Sequence, residues 1–205
     1  MLWPFSHRRI AWDTIAVVDP LFTLPLLAAV LWGVWRGSKR VPTLGLAWAL
    51  GYLLLGAWQQ GRVLEVGDEL ARSRGHVGVT VEAKPTLGNV LLWKVIYLYQ
   101  GRYYVDAVRA GAQPMVYPGQ SVARLNPSVH LPWLRADSQQ GRDLERFRWF
   151  STDHLAVDAN DPLYVVDMRY SMLPNEIEGL WGIGCLLYTS PSPRDLSTSR
   201  MPSSA

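Results

Sequence analysis

Residues 14–58 read TIAVVDPLFTLPLLAAVLWGVW (14–35), RGSKR (36–40) and VPTLGLAWALGYLLLGAW (41–58). The first run has 22 residues and one charge, Asp19. The last has 18 residues and none. At about 1.5 Å per helical residue, each approaches the roughly 30 Å of a bilayer's hydrocarbon core. A soluble core rarely needs two such runs in succession, so the pattern predicts a membrane-spanning helical hairpin. Pro20 and Pro25 are costly in a soluble helix but tolerated in a membrane span. Gly45, Gly51 and Gly56 offer close approach to a neighbouring helix. A signal peptide is excluded by the length of the first run and by the lack of a small-residue cleavage site after it.

Outward from this block the composition changes. The whole chain is 49% hydrophobic with a mean hydropathy of +0.02, so the apolar block is offset by a mixed, polar remainder. Five of the ten Trp (Trp12, Trp32, Trp35, Trp48 and Trp58) lie in or beside the block, as amphipathic rings at a membrane interface would. Arg36, Lys39 and Arg40 form a basic turn, which the positive-inside rule places in the cytoplasm. The segment before the block and the domain after it are then both outside. The predicted organisation is a pre-membrane segment 1–13, a two-helix transmembrane hairpin 14–58, an α+β extracytoplasmic domain 59–184, and a tail 185–205. The lipid bilayer is the expected partner. The formal charge of +3, with Lys and Arg scattered, gives no argument for nucleic acid.

The tail begins CLLYTSPSPRD and has no hydrophobic period. Its first eleven residues resemble the translation of a sequencing-library transposon adaptor. Residues 185–205 are therefore expected to be an unstructured artefact, with the natural protein continuing past Gly184. Setting them aside leaves 18 basic and 16 acidic residues, since the tail contributes two Arg and one Asp. It also removes the single cysteine, Cys185, and with it disulfide and thiolate-metal chemistry.

Within 59–184, residues 59–74 read as a helix continuing out of the membrane and ending near Gly75. Residues 76–82 alternate as a strand, and 85–89 as a turn. Residues 89–99 and 103–109 predict an antiparallel hairpin through Gln100-Gly101-Arg102. Residues 110–141, with four prolines, predict a long irregular connection. A short helix is expected at 143–149. A second hairpin is expected at 154–158 and 163–170, with Asp167 and Arg169 on one face as an ion pair. The sum is a small antiparallel sheet with one or two helices.

The four histidines, His7, His76, His130 and His154, make no i, i+4 pair and no H-E-x-x-H motif. They read as surface or turn residues. Phosphate loops and nucleophile elbows are also missing. The apolar run Val90–Trp93 reads either as core or as a binding surface. Asp19 is the polar exception inside a span. A carboxylate there is expensive, which marks a functional group unless it lies at the interface, where Pro20 interrupts the helix.

Several segments together resemble a known family. LWPFSHRRIAWD (2–13) with VVDPLFTLPLL (17–27), PTLGNVLLWKVI (85–96) with GRYYVDAV (101–108), then WFS (149–151) and VVDMRYSML (165–173) resemble the YdjM/YbcI-type inner-membrane proteins. These are usually named metal-dependent hydrolases. The resemblance covers most of residues 2–173 and implies the C-terminal half of such a protein. The family's histidine and aspartate motifs belong to a membrane half that precedes this portion, and His7-Arg8-Arg9 is not one of them. The resemblance thus implies a divalent metal ion in the longer protein and none held by this portion alone. Asp13 and Asp19 are the residues nearest to where such a metal site would close. The competing expectation is a non-enzymatic membrane protein whose outer domain binds a partner or a lipid headgroup.

Overall fold

The computed structural model describes residues 13–16, 18–88 and 90–185. His7-Arg8-Arg9 and the tail beyond Cys185 lie outside the described residues. The elements are α1 (Pro20–Arg36), α2 (Arg40–Ser73), β1 (Val81–Pro85), β2 (Leu92–Tyr99), β3 (Arg102–Arg109), β4 (Met115–Tyr117), β5 (Ser121–Ala123), α3 (Pro127–His130), α4 (Gln139–Phe150), β6 (Leu155–Val157), β7 (Tyr164–Asp167) and β8 (Gly182–Gly184). The α+β class predicted from the sequence is the one observed.

The first helix starts later than its apolar run. Asp19 is its N-cap, accepting from the Phe22 amide (3.1 Å), and Pro20 occupies the first turn, where its missing N–H costs nothing. Residues 14–16 and 18 precede it as non-helical chain. At the other end Gly37 adopts φ +60°, and the Gly37 and Ser38 amides close on Val34 and Gly33. A left-handed residue there suits glycine, which has no Cβ to clash.

Helix α2 is one continuous element of 34 residues, about 51 Å long. Its buried positions, Gly45, Ala49, Tyr52, Gly56, Gln59, Val63, Gly67 and Ala71, follow the helical repeat as a single stripe. The first half of the stripe meets α1 and, at Gly56, Thr14 and Ile15, and the second half meets a sheet. Gly45 lies against Ala29 and Gly33 against Pro42, whereas Gly51 faces open space. The close approach expected of all three glycines thus holds at Gly45 and Gly56, and Gly56 receives the Thr14 backbone rather than a helix. Helix α2 ends at Arg74 and Gly75, where the chain turns with φ +78°.

Two antiparallel sheets replace the single one expected. The larger has the order β1-β2-β3-β4, with β5 also paired to β3. The smaller is β6-β7-β8. The β2–β3 hairpin turns on Gln100 and Gly101, both at positive φ (48° and 74°), as a two-residue turn of the primed class requires. The strand expected at 76–82 begins instead at Val81, because Gly75 and Gly78 hold positive φ before it. The long connection contains β4, β5 and α3, and the short helix extends to 139–150. Alternation in β2 divides two cores. Trp93 and Val95 pack with Val63, Ala83 and Val108 against α2. Ile96 packs with Tyr103, Val105 and Met168 on the opposite face. A third cluster joins Leu131, Leu144, Leu155 and Val165 under the smaller sheet, and the buried Cys185 belongs to it.

Candidate functional site

Two features stand apart from ordinary packing: the outer surface of α1 and α2, and a line of titratable groups running from Asp13 to His154.

The inner faces of α1 and α2 are lined by small residues, so the large side chains point outward. Leu24, Leu31 and Trp35 on α1 and Leu44, Leu54 and Trp58 on α2 are all more than half exposed. Arg40–Ser73 is, among the described residues, the helix long and apolar enough to cross a membrane. Helix α1, at 17 residues, is shorter and apolar. Arg36 lies over Trp32 and Trp35 at one end of this surface (5.7 and 5.5 Å), and Arg62 over Trp58 at the other (4.9 Å). Such cation–ring pairs suit the boundary between hydrocarbon and water.

Asp19 is 4% exposed at the domain end of α1. One oxygen caps the helix and the other accepts from the Tyr52 hydroxyl at 2.7 Å. Asp13 lies elsewhere, paired with Lys84 Nζ at 2.5 Å. The two candidate carboxylates therefore serve different neighbours, and among the described residues no three His, Cys, Asp or Glu groups converge to hold a metal.

The line of charges continues from that pair. Lys84 and Glu82 share one face of β1, and their termini lie 3.2 Å apart. Burial alone would lower the Lys84 ammonium, but the Asp13 and then the Glu82 carboxylate outweigh it and hold its pKa above the ordinary value. The other Glu82 oxygen lies 3.1 Å from His154 Nε2. That hydrogen bond, with help from Lys84, pulls the Glu82 carboxyl down to about 2 despite partial burial. His154 Nδ1 meets the Thr152 carbonyl at 3.0 Å and the Ser151 carbonyl at 3.2 Å. Both ring nitrogens thus face oxygens that only accept. Tyr103 stacks on the ring at 5.6 Å and donates to the Asp153 carbonyl. His154 is 8% exposed, so the expectation of a surface or turn histidine is corrected here: the ring is buried between the sheets. His76, by contrast, stacks on Tyr99 after α2, and His130 sits in the short α3 accepting from the Asn126 amide.

A cleft of about 400 Å³ opens beside this pair, lined by Thr80, Glu82, Tyr103, Arg124, Asp153 and His154. Asp153 pairs with Arg124, and Arg148 Nε lies 2.9 Å away, out of hydrogen-bond alignment. Thr152 and Asp153 both have positive φ (53° and 64°), a strained conformation for side-chain-bearing residues. Each His154 nitrogen has an oxygen within hydrogen-bond distance, so the ring ties the end of α4 to β1.

Two further buried charges brace the fold. Asp167 and Arg169 form the expected pair, at 2.6 and 2.9 Å, with the Trp181 indole donating to the same carboxylate. Arg169 also reaches the Phe150 carbonyl, so the pair ties the smaller sheet to the end of α4. Lys94 is 2% exposed on β2, donating to Ser171 Oγ (2.8 Å) and the Glu176 carbonyl (2.7 Å). The sequence alternation that put Lys84 and Lys94 on the inward face was the signal for both. It was hidden because an inward lysine reads as an outward one until its sheet partner is known. Val90–Trp93 divides in the same way: Val90 and Trp93 are core, and Leu91 is exposed.

No family model, curated protein or solved structure matches this chain.

Proposed function

We propose that the α1–α2 hairpin anchors this chain in the bacterial inner membrane and holds the α+β domain at its outer, periplasmic face. The observation behind this reading is the apolar surface of α1 and of α2 up to Trp58, which wraps a small-residue interface and is bounded by Trp–Arg pairs. An apolar patch of that extent is unfavourable in water and favourable in lipid. The continuity of α2 from anchor to domain core makes the coupling rigid: the same helix that crosses the bilayer carries Val63 and Gly67 into the sheet. The test is extraction of membranes with alkaline carbonate. Retention in the membrane pellet, with release only by detergent, is the expected result. Release by carbonate overturns the anchor.

The metal-dependent hydrolase reading rests on the resemblance. The described carboxylates do not fit a metal as they stand. Asp19 serves Tyr52 and the α1 cap, Asp13 serves Lys84, and among the described residues no three His, Cys, Asp or Glu groups converge on either. No chemical step is therefore derived through a metal. Asp19→Asn discriminates, because Asn still caps a helix but lacks the charge a ligand needs. In the longer protein, loss of metal-dependent turnover with the fold retained supports the hydrolase. Unchanged turnover and metal content sink it.

A further inference from the structure

The anchor is short for the membrane it is proposed to cross. Seventeen residues of α1 give about 26 Å, and the uncharged run Val41–Trp58 of α2 about 27 Å, against roughly 30 Å of hydrocarbon. A few ångströms of lipid must be covered by something other than these helices, or the bilayer must thin.

At the domain end, the chain holds exposed apolar side chains beside the start of α1. The Gly88 amide donates to the Val18 carbonyl at 2.9 Å, so the turn between β1 and β2 rests on the residue just before the α1 cap. Its φ of +75° makes glycine the residue that fits there, and a Cβ built at Gly88 would touch Pro20. The neighbouring strand end is braced in turn. Ala110 donates to the Leu91 carbonyl, and the Ala110 carbonyl accepts from Gln59 of α2 at 2.8 Å. Arg62 holds the next carbonyl, that of Gly111. The turn is therefore tied to the chain entering α1 and, through Ala110, to α2. Around it Val18, Leu87 and Leu91 are 61%, 45% and 50% exposed, as Leu21 and Trp58 at the domain ends of the helices are.

Resting on the anchor reading, we infer that Leu87 and Leu91 are membrane-contacting residues. With Val18 they form an apolar collar by which the domain itself enters the outer lipid leaflet and makes up the thickness that the hairpin lacks. The partner is the acyl-chain and glycerol region of the bilayer. Continuity with the apolar surface of α1 and α2 is what selects lipid over another protein as the occupant. The collar also fixes the tilt of the domain, because a turn bonded to the residue before the α1 cap cannot insert without bringing the sheet with it.

The test is spin labelling of the full chain in a Cys185→Ala background. Single cysteines go at Leu87 and Leu91, at Leu54 in the anchor, and at Arg146 on α4 as the aqueous reference. The protein is reconstituted in vesicles of phosphatidylethanolamine and phosphatidylglycerol, and each label is challenged with oxygen, which concentrates in lipid, and with a water-soluble nickel chelate. The expected result is an oxygen-to-chelate ratio at 87 and 91 on the lipid side, shifted from Arg146 towards Leu54. If Leu54 reads as lipid but 87 and 91 read as water, the bilayer thins instead and the collar is overturned while the anchor stands. If 87 and 91 are shielded from both reagents, a second copy or another protein covers them, and the collar is again overturned. If Leu54 itself reads as water, the anchor reading fails and takes the collar with it.

Discussion

Lys94 shows how a single residue can make the whole fold depend on pH. Burial between the sheets pushes its ammonium down to about 7, against an ordinary value of 10.5, and the nearby Asp167 and Glu176 only partly resist. The folded chain therefore releases this proton at lower pH than the unfolded chain does. Stability rises with pH across that interval, by up to about 1.4 kcal/mol per pH unit for one proton. Denaturant titrations between pH 7 and 9 should show the rise, and Lys94→Met should flatten it. Glu82 has the same sign in an acid window. Its carboxyl is held near 2 by His154 first, so its contribution is complete above about 4.5 and is lost as pH falls towards 2. Its side chain is 37% exposed, which screens the interaction, so Glu82→Gln should cost only about 1 kcal/mol at neutral pH. The difference from the parent chain should close in acid, where both carry an uncharged side chain at 82. A difference that persists unchanged at pH 2 would show that the His154 contact is not electrostatic.

At the scale of elements, the hairpin depends on where glycine meets a neighbour. A Cβ at Gly45 would lie 2.7 Å from the Ala29 methyl, closer than real contacts allow, while one at Gly51 would meet nothing within 4 Å. Gly45→Leu should therefore force α1 and α2 apart and lower the thermal midpoint in detergent, by the equivalent of about 1–3 kcal/mol. Gly51→Leu should leave the midpoint unchanged or raise it slightly through better helix propensity. Equal effects at the two positions would mean that α1 does not pack on this face. The same logic binds α2 to the sheet, where Gly67 admits Val81 and Val95. One buried stripe, glycine- and alanine-rich, thus serves two unlike partners, the apolar helix α1 and a sheet.

For the molecule as a whole, the consequence is orientation. Helices α1 and α2 are antiparallel, so the Arg36–Arg40 turn and the α+β domain lie on opposite sides of whatever the hairpin crosses. If the basic turn is cytoplasmic, a cysteine at Ser38 should react with a membrane-impermeant maleimide only after the inner membrane is opened. A cysteine at Arg146 should react in spheroplasts directly, again in a Cys185→Ala background. The reverse pattern would place the domain in the cytoplasm and remove the periplasmic assignment.

The α+β class, the two apolar runs, the extent of α2 to Gly75, both hairpins and the Asp167–Arg169 pair were all legible in the sequence. Each is written in residues close together along the chain, as hydropathy, as period-two alternation or as turn chemistry. What the tertiary structure alone decided is where separated residues meet. Asp19 reads in sequence as a carboxylate stranded in a span, but it becomes a helix cap and the acceptor of Tyr52, a partner 33 positions away. Glu82 and His154 read as a strand-end acid and a turn histidine, but they meet as a pair, 72 positions apart, with the histidine buried. The division into two sheets, and the seating of the Leu87–Leu91 turn against the start of α1, likewise follow from long-range packing. Local pattern specifies which groups face inward, and only the closed fold specifies what each of them faces.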